Sequence, residues 1–391
     1  MAIPRLRDYQ GPAIFSYGFR PFFLFGATFA GLAIPLWLCA FQGEIELPTA
    51  FAPRDWHVHE MLFGFVAAII GGFLLTAVPN WTGRLPLQGT PLAVLVSSWL
   101  AGRIAVFMSA SIGWALACVI DAAFLALLAA AAAREIIAGR KWNNLPVVAI
   151  VSLFGAANIA FHLEAHFNGL ADYSTRFAIA LVIMLVSLIG GRIVPSFTRN
   201  WLARQSSGHM PAPFGRFDAI VMAASALALI AWTAVPGSSA TGWALMLVGG
   251  LHAVRFVRWA GYRTFGDRLV LILHIAYAFI PLGYLLAALA AFDIVPQSAG
   301  VHAWTAGAIG TMTIAVMTRA TLGHTGRQLK ASIGTQCVYA AVIAAAVMRI
   351  SASIEPDHMN ALLAGAGFGW TVAFLGFALL YGRLLCAPRA A

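Results

Sequence analysis

Read along its length, the chain alternates long apolar runs with short polar breaks. The runs fall at roughly 19–41, 57–79, 91–109, 112–134, 145–167, 174–198, 217–235, 241–260, 267–290, 299–319, 331–350 and 359–385. About twenty residues is the length a helix needs to cross the hydrocarbon core of a bilayer. The period-two alternation of a membrane barrel is absent, so helices are the spanning structure that fits. The pattern predicts an all-α protein, a polytopic bundle of about twelve transmembrane helices in one integral membrane domain over 1–391. The longest breaks, 42–55 and 199–216, leave no room for a soluble domain.

Composition sharpens the class. With 61% hydrophobic and 10% charged residues, the chain is excluded from ordinary soluble domains. A net charge of +10 would point to nucleic acid in a soluble protein, but its distribution points to a lipid bilayer instead and to no nucleic acid partner. Put the N-terminus in the cytoplasm and alternate the spans. Arg5, Arg7, Arg84, Arg140, Lys141, Arg199, Arg204, Arg216, Arg255, Arg258, Arg263, Arg268, Arg327, Lys330, Arg383 and Arg389 then fall inside or at inner helix ends. Only Arg54, Arg176 and Arg349 fall outside, where Glu44, Glu46, Asp55, Asp172, Asp293, Glu355 and Asp357 gather. This positive-inside signature predicts that both termini are cytoplasmic. The first eighteen residues carry no cleavable signal pattern, so the first span is expected to direct insertion. Cys39, Cys118, Cys337 and Cys386 are isolated, with no CxxC or CxxCH, which argues against a disulfide framework and against covalent c-type haem.

A faint internal echo runs through the spans. The segments Gly71 to Arg84, Gly190 to Arg199 and Thr311 to Arg319 each close a Gly-rich or Thr-rich inner half on Thr and a cation, four spans apart. They suggest three four-helix units, although shared chemistry at inner helix ends would give the same echo. The stretch from His302 to Arg327 stands out among them. Its Gly and Thr content lets neighbouring helices or a flat cofactor approach the backbone closely.

Ionisable groups inside spans are functional hypotheses by default. His57, His59, His162, His166 and His302 all lie near outer span ends, the easiest place to build a metal centre. On a helix, residues two apart point about 200° away from each other, so His57 and His59 do not both face one ion on a regular helix. Glu60 is placed to orient one of the rings. His162 and His166, four apart, share a face above Asn158, and are either a copper or zinc pair or two interfacial residues. His59 and His302 lie at similar depth and are candidates for the two axial ligands of one haem. His274 is either a ligand of a second centre or a satisfied polar group, and for His252 the polar group is favoured. His324 is a solvated loop residue or a site residue. Arg20, Arg192 and Arg319 either snorkel or pair with an anion or propionate. Arg103 and Asp121 are explained most simply as a mutual ion pair.

The phrases FRPFFL (Phe19 to Leu24), HVHEMLFGF (His57 to Phe65), GFLLTAVPNWTG (Gly72 to Gly83), GGRIVPSFTRN (Gly190 to Asn200), LHIAYAFIPLG (Leu273 to Gly283) and the stretch to Arg327 together resemble the NnrS family over nearly the whole chain. That resemblance implies a bacterial cytoplasmic-membrane protein carrying haem, expected as b-type, and copper, and acting in the response to nitric oxide and nitrosative stress during denitrification. It puts His57, His59, Glu60, His274, His302, Arg319 and His324 at motif positions as metal or cofactor candidates. His162 and His166 lie outside the matched phrases. The resemblance settles neither turnover nor which histidines take which metal. The competing reading is a polytopic transporter whose histidines handle a proton or a metal ion.

Overall fold

The computed structural model describes residues 9–205 and 207–389. Arg5 and Arg7, counted in the charge distribution above, lie outside the described residues. The described residues are overwhelmingly helical, and twelve long helical columns follow the chain. We number them α1 (Phe19–Phe41), α2 (Pro53–Thr82), α3 (Thr90–Phe107), α4 (Trp114–Ala138), α5 (Leu145–Asn168), α6 (Tyr173–Leu202), α7 (Arg216–Ala234), α8 (Ser239–Val257), α9 (Arg268–Ala291), α10 (297–324), α11 (Ile333–Ile354) and α12 (Met359–Cys386). Eleven are long and apolar enough to cross a membrane; α10 has the length, but its glycines and threonines make it less apolar. The chain is a multi-pass membrane protein.

Local chemistry sets the ends of these helices. Pro53, Pro91 and Pro146 occupy first turns, where a missing N–H costs nothing. The Asp267 carboxylate accepts from the backbone N–H groups of Leu269 and Val270, and Ser332 caps α11 through Thr335 N. Gly83 closes α2 with φ +72°, a left-handed conformation that favours glycine. Arg20 does not snorkel. Its buried guanidinium donates to the carbonyls of Leu385 at 2.8 Å and Ala387 at 2.6 Å, satisfying acceptors at the end of α12.

Two columns depart from regular α-helix. In α2 the stretch Glu60–Val66 is wound as π-helix, and in α10 so is Ala303–Gly310. Each begins on the residue after a histidine, His59 in one case and His302 in the other. Such wide turns are concentrated at functional sites.

The chain divides into two compact units. One comprises the chain up to Ala178 with Ala320–Arg327 and the segment from Phe377 onward; the other comprises Ile179–Arg319 and Gln328–Gly376. The expected three four-helix units are therefore not the division found. The threefold echo marks helix ends, one in the first unit and two in the second, as common end chemistry would produce. Within the first unit α1 packs on α2, α2 on α4, α3 on α4 and α4 on α5. Within the second, α8 packs on α7 and α9, and α10 packs on α9 and α11.

Candidate metal centre

The first unit encloses a polar cluster at the end where α2 begins, α3 finishes, α4 begins and α5 finishes. His59 and Glu60 come from α2, Arg103 from α3, Asp121 from α4, and Asn158 and His162 from α5. All six are buried. Asp121 sits at the centre. One of its carboxylate oxygens pairs with Arg103; the other accepts from Asn158 Nδ2 at 2.7 Å and lies 3.2 Å from His59 Nε2 and 3.3 Å from His162 Nε2. Ligand atoms of His59, Asp121 and His162 all lie within 4.8 Å of one another.

The surrounding groups fix this geometry. Arg103 also pairs with Glu60, whose Oε1 accepts from His59 Nδ1 at 3.0 Å. The helices α2, α3 and α4 approach one another through glycines. A Cβ at Gly64 would meet Arg103 Nη1 at 2.8 Å, and one at Gly102 would meet Asp121 Oδ1 at 2.8 Å. Trp99 donates to the carbonyl of Gly64, inside the π turn, at 2.9 Å. Around the imidazoles stands a collar of rings: Phe51 is 5.1 Å from both His59 and His162, Phe63 is 5.2 Å and Phe161 is 5.3 Å from His59. This is a dry site, where unpaired charge is costly.

Charge counting gives the site its chemistry. Glu60 and Asp121 supply two negative charges against the one positive charge of Arg103, so the cluster carries one negative charge in excess. Asn158 gives its N–H to Asp121 and so turns its carbonyl oxygen toward His59 Nε2, 3.0 Å away. In this arrangement His59 donates from both nitrogens, and the second proton restores neutrality. A metal ion bound by His59 Nε2, His162 Nε2 and Asp121 would replace that proton.

The second unit holds a different network, at the end where α7 begins and α8 finishes. Asp218 of α7 accepts from Arg255 Nε at 2.7 Å, and Arg255 Nη1 donates to Tyr277 Oη at 2.8 Å and to Ser187 O at 3.0 Å. Tyr277 Oη lies 3.0 Å from His252 Nδ1, and His252 Nε2 lies 2.9 Å from Ser225 Oγ. Asp218 faces the buried Arg255 and, through its other oxygen at 3.8 Å, the half-exposed Arg258, so this network has no negative charge in excess.

The other candidates have contacts of their own. His57 turns away from His59, as the helix period requires, and stacks on Trp37 at 4.1 Å. His166 is exposed and stacks on Trp114 at 4.3 Å, so the proposed pairing of His162 with His166 gives way to His162 with His59. His302, half-buried, bonds through Nδ1 to Ser298 O at 2.7 Å. The glycine faces of α10 admit rings: a Cβ at Gly307 would meet Phe279 at 2.5 Å, and one at Gly310 would meet Trp370 at 2.6 Å. His274 bonds Thr198 Oγ1 at 2.8 Å, and His252 is a satisfied polar group of the second network. His324 is packed against Tyr17 and Phe19 at 5.7 and 5.4 Å. Arg192 lies over Phe214 at 5.9 Å and Arg319 over Phe197 at 4.1 Å, each a cation on an aromatic face.

Comparison with known proteins decides the lineage: the family model described as NnrS protein matches residues 13–389. The chain belongs to the NnrS family. No protein of curated function matches it.

Within this NnrS chain, sequence reasoning reached Glu60 as an orienting group and the Arg103–Asp121 pair, but not their union with His59 and His162. The available signal was six ionisable or amide side chains toward one end of spans two to five. Arg255 was missed differently. It was counted among inner-end cations but is fully buried against Asp218, and an aspartate two residues inside an apolar span was the clue.

Proposed function

We propose that this chain is a bacterial cytoplasmic-membrane protein of the nitric oxide response, with both termini cytoplasmic, and that it binds nitric oxide at a redox metal held by His59, Asp121 and His162. Membership of the NnrS family supports a nitric-oxide-response membrane protein. The observation that carries the metal is the convergence of two imidazoles and a carboxylate in a buried cluster with one negative charge in excess.

The donor set fits an ion. Imidazoles suit copper, iron and zinc, and two histidines with one carboxylate leave coordination positions open. A copper or iron ion bound there would supply the open position that nitric oxide takes. The protein does the rest. Glu60 accepts from His59 Nδ1 and so aims Nε2 into the cluster, the arrangement seen around metal-bound histidines. Arg103 limits the charge of the two carboxylates, and Asn158 holds Asp121 in place. Phe51, Phe63 and Phe161 exclude water. Nitric oxide is small and uncharged, so it crosses such a collar from the lipid without a polar channel.

Haem fits less well, because the glycine faces of α10 that would border a flat cofactor are filled by Phe279 and Trp370. Nitric oxide binding is therefore assigned to the ion. The transporter reading gains no support from the two π turns, which keep their columns continuous.

The test is metal analysis and optical spectroscopy on the purified protein. The expected result is copper or iron bound in proportion to the chain, a spectrum that changes on adding nitric oxide, and loss of both in His162→Ala. Full metal retention in that variant would overturn the ligand assignment. A wild-type protein that takes up neither copper nor iron would overturn the reading as a whole.

A further inference from the structure

The network of the second unit is ordered by its donors. Arg255 is donor only, so Tyr277 Oη accepts from it. Ser225 gives its hydrogen to Val221 O at 2.7 Å, so it must accept at Oγ from a hydrogen on His252 Nε2. The neutral imidazole then presents its lone pair at Nδ1, and the phenol of Tyr277 donates to it across 3.0 Å. The hydrogens run one way, from Arg255 through Tyr277 and His252 to Ser225. All four residues are buried, at 0% exposure each.

A phenol hydrogen-bonded to a base is much easier to oxidise than a phenol alone. Its proton shifts to the base as the electron leaves, and no phenol cation forms. Here the ring also belongs to a contiguous column of buried aromatics. Trp259 meets Tyr277 edge-on at 4.5 Å, His252 stacks on Tyr284 at 5.2 Å, and Trp304 is 5.0 Å from both Tyr284 and Trp232. Rings in contact give an electron vacancy a path, and the tyrosine with a base is where it comes to rest. By contrast, the Tyr339 hydroxyl meets the hydroxyl of Thr318 and that of Tyr17 the carbonyl of Thr76. Asp218 offsets the charge of Arg255 beside the phenol.

We propose that Tyr277 and His252 form a proton-coupled one-electron redox site, separate from the metal centre of the first unit. In the oxidising step the O–H bond of Tyr277 breaks, the electron passes to a one-electron oxidant of the high-valent transition-metal class, and the proton moves to His252 Nδ1. The products are a neutral tyrosyl radical, an imidazolium and the reduced metal complex. Reduction by one electron returns the proton to the phenoxyl oxygen.

The experiment uses the full-length protein in detergent, with tris(bipyridine)ruthenium(III) photogenerated as the oxidant and electron paramagnetic resonance as the readout. A tyrosyl signal is expected, with a hyperfine coupling to an exchangeable proton that disappears in deuterated water. Tyr277→Phe should lose most of that signal, and His252→Phe should shorten its lifetime severalfold. An undiminished signal in folded Tyr277→Phe would overturn the proposal. If that variant does not fold, the wild-type spectrum decides, because a radical without the exchangeable coupling is not hydrogen-bonded to His252. Metal content plays no part in either readout, so this result and that of the metal assay fail independently.

Discussion

The two buried networks differ in one respect that changes what each can do. In the first unit two carboxylates face one guanidinium, with two imidazoles alongside; in the second, one carboxylate faces the buried Arg255 and the half-exposed Arg258, with a phenol, an imidazole and a hydroxyl alongside. Both are dry, and both bridge several helices. The unbalanced one is completed by a cation, a proton or a metal ion. The other has no surplus negative charge to draw in a cation, and what it can move is a hydrogen already inside it. Burial of charge is thus not a single signal; its sign and surplus separate a ligand site from a relay.

Removing the guanidinium tests that distinction most forcefully. Arg103→Met leaves two buried carboxylates, and Arg255→Met leaves one; each is expected to cost about 3–5 kcal/mol, read as lost thermal stability in detergent. Divalent metal should restore part of the loss in Arg103→Met and none in Arg255→Met. Equal rescue of both, or of neither, would erase the contrast. Next in size, Glu60→Gln keeps the shape but weakens the acceptor on His59 Nδ1, and should lower metal affinity about 10–100-fold by titration. Ser225→Ala removes the acceptor for His252 Nε2 and should cost about 1–3 kcal/mol, with metal affinity unchanged. At the small end, His166→Ala removes an exposed ring that rests on Trp114 and Phe167. Its metal content should match wild type, and a deficit would return His166 to the centre.

Hydropathy alone made the architecture legible, because the bilayer demands about twenty apolar residues per crossing and the breaks between runs are short. The divergence of His57 from His59 was legible from the helix period. Partners across helices were not. Which face of α5 meets α4 depends on packing, so His162 aligned in sequence with His166 but pairs in space with Asp121 and His59. The glycines of α10 were read as an opening for a helix or a flat cofactor; the helices win, through the rings of Phe279 and Trp370. Arg255 shows the limit of charge counting, since an arginine near a span end can turn inward when an aspartate waits there.

The wide turn after His59 has a consequence for how the first unit tolerates change in chain length. A π stretch accommodates a surplus residue, and each residue turns an α-helix by about 100°. Deleting one position between Glu60 and Val66 would relax the column to ordinary winding. It would then swing the imidazole off its partners while the apolar side of Ala67–Thr82 stayed seated. The ligand and the anchor of one helix are thus held in different rotational phases, and a single extra amino acid keeps both in use.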